Sequence, residues 1–154
     1  MKRLLEGMRV YILSPELAAI VATFAVNQAW PAFFEMLGQT VKSSATGIEA
    51  GLFFAILAPA LLTYKWSDDI LNPSDKTVLT GWPEYWRLKN RVWASLVFCG
   101  VAAVCWMGGI LAISMNGSVR WGAASLVVGG LVALICTATV GIARLMIKEV
   151  LAGE

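Results

Sequence analysis

The chain has 154 residues, 58% of them hydrophobic and 14% charged, with a formal net charge of +2 and no histidine. Soluble domains carry about 25% charged residues, so an ordinary soluble domain is excluded, and a small net charge without a basic run excludes nucleic acid as a partner. The lack of histidine removes histidine-ligated haem, the usual catalytic triads and most zinc or iron chemistry, so no cofactor, no metal and no enzyme is expected.

Residues 1–13, MKRLLEGMRVYIL, set Lys2, Arg3 and Arg9 among apolar residues, the pattern of an amphipathic segment lying at a membrane surface. Ser14, Pro15 and Glu16 then read as a helix start: a capping serine, a proline at the first helical position and an acid in the first turn. A first membrane span follows, over about 15–36. Pro15 and Glu16 interrupt the apolar region that a cleaved signal peptide needs. Counting 1.5 Å per residue puts Asn27 and Gln28 about 16 Å from the helix start, near the middle of a span. Pro31 has no N–H for the carbonyl four residues back, so it frees the Asn27 oxygen and kinks the helix. Asn27, Gln28 and Pro31, with Pro59 of the next span, form a candidate polar intramembrane site, either a contact between helices or part of a path.

Glu35 ends the first span and Glu49 opens the second, about 48–66. The two acids flank one polar loop and could sit at the mouth of a path, although solvated acids at an interface read the same way. Pro59 lies inside the second span and frees the carbonyl of Ala55. Residues 67–92 form a helical loop: a short helix over about 73–80, a hinge at Gly81 and Trp82, and a stem helix that runs into the third span. Trp82, Tyr85, Trp86, Arg87 and Arg91 are candidate partner-docking residues. Tryptophan at this level is ordinarily a membrane-belt residue, and aromatic and arginine side chains are also what protein interfaces favour. Asp68, Asp69 and Asp75 could bind a metal and a phosphate, but loop acids more often cap helices or stay solvated.

The third and fourth spans, about 93–115 and 121–146, are the two long runs with almost no charge. Their three cysteines, Cys99, Cys105 and Cys136 (the last in the fourth span), lack CxxC spacing and read as small packing residues. Ser125, Gly129, Ala133, Thr137 and Gly141 recur every four residues, a small-residue ridge that lets another helix come close. Gly100, Val104, Gly108 and Ala112 make a weaker row on the third span. The two spans should pack as a hairpin, or across a boundary between protomers.

Of the 12 lysines and arginines, only Lys42 and Arg120 fall in the loops after spans one and three. Basic residues mark the cytoplasmic side, so four spans place both termini and the loop cytoplasmic. The expected fold is therefore all-α: an integral membrane protein of four transmembrane helices in a compact bundle, with a cytoplasmic helical loop between helices 2 and 3. Short loops point to a bacterial cytoplasmic membrane. The expected role is a non-catalytic membrane subunit that packs against other membrane subunits or itself and docks a cytoplasmic protein at residues 65–91. The alternative is a small homo-oligomeric channel, transporter or membrane-disrupting effector with a polar path at helices 1 and 2.

Overall fold

The structure is a computed structural model that describes residues 14–43, 51–52, 54–72, 84–115 and 117–152. The amphipathic segment at 1–13, Glu49, Asp75, the short helix expected at 73–80 and Trp82 lie outside them. The described helices are α1 (Pro15–Ala29), α2 (Pro31–Ser43), α3 (Leu57–Leu71), α4 (Tyr85–Ser114) and α5 (Val119–Ala152). α4 and α5 are long and apolar enough to cross a membrane, which points to membrane association.

The other two expected spans take a different form. The first is two helices, α1 and α2, bent by 100° where they meet. Trp30 leaves the helical region there, and Pro31 starts the next helix where a missing N–H does no harm. In the second, a turn at Ile56 precedes α3, so Pro59 falls in a first helical turn rather than a helix interior. α1 and α3 have 15 residues each, about 22 Å of rise and short of a 30 Å hydrocarbon core. The stem and the third apolar run are one helix of 30 residues.

The α4–α5 hairpin is the frame. Its helices meet backbone to backbone through small residues: a Cβ on Gly129 would lie 2.7 Å from the Ala102 carbonyl oxygen, and one on Gly109 would lie 2.7 Å from that of Gly122. Farther along α5, α3 takes over the ridge. Trp66 lies over Gly141, and Ile70 packs with Val92, Val140 and Ala143. We call this end of the hairpin, where α4 begins, the lower end, and the turn between α4 and α5 the upper end. α2 lies at the upper end, with Phe34 buried against Ala123 and Ala124 and Gly38 against Val119.

α1 and α3 are amphipathic in the sense opposite to soluble helices. α1 buries Glu16, Thr23 and Asn27 and exposes Val21, Phe24, Val26 and Trp30. α3 buries Thr63 and Ser67 with Ile70, and exposes Leu57, Leu61, Leu62 and Tyr64. In water the apolar stripe would turn inward. In lipid the polar groups must find partners inside the protein, and the apolar groups face the hydrocarbon.

Candidate functional site

Both ends of α1 are held by arginines of the hairpin. At the lower end Ser14 caps the helix, its Oγ accepting from the Leu17 N–H at 3.1 Å. This fixes the first turn and sets Glu16 against α4. Glu16 is completely buried. Arg91 Nη2 donates to its Oε2 at 2.6 Å and to its Oε1 at 2.9 Å. One turn along α4, Ser95 Oγ donates to Oε1 at 3.3 Å. The Arg91 side chain keeps 22% exposure, so the pair has one dry partner and one partly wet.

At the upper end Asn27 is also completely buried. Arg120 Nε donates to Asn27 Oδ1 at 3.0 Å, and its Nη2 donates to the Asn27 backbone oxygen at 2.5 Å. That oxygen is the one Pro31 cannot serve. The guanidinium also lies 5.5 Å from the ring centroid of Trp121, a cation–π distance, and Trp121 meets Phe24 of α1 at 6.0 Å. Asn27 Nδ2 has no hydrogen-bond partner among the described residues.

The sequence-selected polar residues are not brought to one place. Asn27 lies two residues from the end of α1, within reach of the start of α5, because the helix that would have carried it to mid-span stops at Ala29. Gln28 and Glu35 are exposed. The Pro59 carbonyl faces Thr137, whose Oγ1 lies 3.2 Å from it and 3.0 Å from Thr63 Oγ1.

The docking residues divide. Tyr85 turns inward, its hydroxyl donating to the Ile70 carbonyl at 3.0 Å, and Arg91 is committed to Glu16. Trp86 and Arg87 are exposed. On the ridge, Gly129, Ala133, Thr137 and Gly141 all make contacts within the chain, and Ser125 is half-buried. Of the row on α4, Ala112 lies at the hairpin beside Gly122, whereas Val104 is exposed and a Cβ on Gly100 or Gly108 would meet nothing within 4 Å.

The acids of α3 are each occupied. Asp69 pairs with Arg144 at 2.8 Å, and Asp68 Oδ1 accepts from Asn72 Nδ2 at 2.7 Å. Among the described residues no group of three histidine, cysteine or acidic side chains could hold a metal ion.

Sequence reasoning missed Glu16, Arg91 and Arg120 as a set. Glu16, Thr23 and Asn27 do fall on one face of a helix, seven and eleven residues apart. A polar stripe on a helix otherwise clad in apolar residues was the available signal that this face is the buried one. No family model, no curated protein and no solved structure matches the chain.

Proposed function

We propose that this protein is a non-catalytic membrane subunit that packs into a larger membrane assembly through the outward face of α4. That face carries the reading. Trp86, Trp93, Val97, Val104, Leu111 and Met115 are all exposed on it, and Gly100 and Gly108 lie among them with open space above. Glycines at such spacing let a partner helix approach closely, and among the described residues they pack against nothing. At the lower end of the face, Trp86 and Arg87 project from a stem fixed by Tyr85 and Arg91, and they offer a rigid aromatic and cationic dock to a cytoplasmic protein. In this reading both termini and the loop at 65–91 are cytoplasmic, in a bacterial cytoplasmic membrane, and the segments around α1 and α3 complete a four-span bundle.

The test is purification in gentle detergent with mass determination of everything that co-elutes. A second kind of chain is expected, released by Gly108→Leu or by Trp86→Ala with Arg87→Ala, while the protein itself stays folded. Gly129→Leu is the contrast, because it should break the hairpin. A clean homo-oligomer with no second chain would overturn the accessory role and favour the channel reading, for which loss of liposome flux in Asn27→Leu is the decisive readout.

A further inference from the structure

The lower halves of α3 and α4 flank a half-open groove of about 350 Å³, which shares only Trp93 with the outward face of α4. Both walls are single helix faces. Tyr64, Ser67 and Asp68 line it from α3, spaced three and four residues apart, and Lys89, Trp93 and Leu96 line it from α4 at four and seven. The helices run in opposite directions, so the groove is graded along its length. Asp68, Asn72 and Lys89 lie at its lower end, Ser67 and Trp93 in the middle, and Tyr64 and Leu96 toward the apolar part of the bundle.

Two observations, on Lys89 and Asp68, say what fits. Ser67 belongs to the wall, but its hydroxyl is sealed from the groove, with no accessible area and no hydrogen-bond partner among the described residues. Lys89 forms no ion pair among the described residues and supplies a cation at the polar end. Asp68 gives one oxygen to Asn72, and a carboxylate has room for several more donors. A ligand that was only anionic would satisfy Lys89 but face Asp68. One that was only cationic would do the reverse.

We propose that this groove binds a phospholipid whose headgroup carries both a phosphate and a primary amine. The phosphate lies on Lys89, the ammonium donates to Asp68, and the chains leave past Tyr64 and Leu96. The polar-to-apolar grading favours a lipid over a soluble phosphoamine. The groove also sits where the uncharged part of α4 begins, at Trp93, the level at which aromatic side chains and lysines ordinarily meet headgroups. The proposal does not depend on the subunit reading.

Native mass spectrometry of the full chain in detergent tests it, by titrating phosphatidylethanolamine, phosphatidylcholine, phosphatidylglycerol and the chain-free glycerophosphoethanolamine. Phosphatidylethanolamine is expected to bind about tenfold more tightly than phosphatidylcholine, whose trimethylated amine has no N–H to donate. Lys89→Ala and Asp68→Asn should each remove about that factor, and Asp68→Asn should abolish the preference between the two. Lys89→Gln, which keeps much of the side chain, should weaken phosphatidylethanolamine severalfold, so the test stands even if a charge variant misfolds. Lys42→Ala, on α2, should change nothing. Equal binding of all three lipids, a phosphatidylglycerol preference unchanged in Asp68→Asn, or glycerophosphoethanolamine binding as tightly as the lipid would each overturn the proposal.

Discussion

The two ends of α1 solve one problem with different chemistry. At the lower end, Arg91 meets a full charge, and its partly wet guanidinium cancels the fully buried Glu16 carboxylate. At the upper end, Arg120 meets no charge among the described residues. It donates to the amide and carbonyl oxygens of Asn27, and its own cation rests on Trp121. The first is an ion pair between side chains; the second repairs a backbone that Pro31 has interrupted. The lower clamp should therefore be costly to break from either side, and the upper one should depend on why its carbonyl was free.

The largest effect should come from Arg91→Ala, which leaves Glu16 fully buried and without its counter-charge. Breaking one side of a buried pair costs about 3–5 kcal/mol, measurable by denaturant unfolding of the detergent-solubilised protein. Glu16→Leu should cost less, because Arg91 keeps contact with water and can turn outward. The double variant Glu16→Leu with Arg91→Leu should recover much of the loss, since well-packed apolar replacements of buried pairs are often neutral or better. Equal costs for both single variants would mean that the burial asymmetry does not matter.

At the upper end, Arg120→Ala removes two donors from a buried carbonyl and a buried amide oxygen, with an expected cost of about 1–3 kcal/mol. Pro31 decides whether this is repair. In a Pro31→Ala background the new N–H at position 31 can bond to the Asn27 oxygen, so Arg120→Ala should then cost only about 1 kcal/mol. The same unfolding measurement in both backgrounds reads the difference. An unchanged cost would show that Arg120 serves something other than the break.

These two clamps also mark where the sequence was legible. The all-helical class and the two long apolar helices follow from runs of uncharged residues that no neighbour can disguise. The freed Asn27 carbonyl follows as well, because a proline acts on the residue four back whatever the fold. The donor to that carbonyl lies 93 residues away, and the partner of Glu16 lies 75 away. Nothing local ties those residues together. A proline fixes where a helix is disrupted but not how far the chain then turns, and the 100° bend leaves Asn27 two residues from a helix end. Pro59 shows the same limit: its cost depends on where its helix begins, which is set by packing around Ile56 and not by the proline.

The smallest effect bears most directly on the contrast between the clamps. Asn27→Asp changes one atom group and turns the upper clamp into a copy of the lower one, an acid against an arginine. Asn27 Oδ1 already accepts from Arg120, and an aspartate oxygen in its place would accept the same bond with a charge behind it. The atom exchanged is Nδ2, a buried donor with no partner among the described residues, so the substitution also removes an unmet group worth about 1–3 kcal/mol. Against this stands the desolvation of a carboxylate, which a close guanidinium offsets only in part. A net gain of about 1 kcal/mol is expected, with Asn27→Leu losing a similar amount because it deletes the acceptor but leaves the backbone bond. The sign of the Asn27→Asp change, read from its unfolding midpoint, decides the matter. A loss would mean that the upper site tolerates only a neutral partner, and that Arg120 is balanced by Trp121 and the backbone so closely that a second charge has no place there.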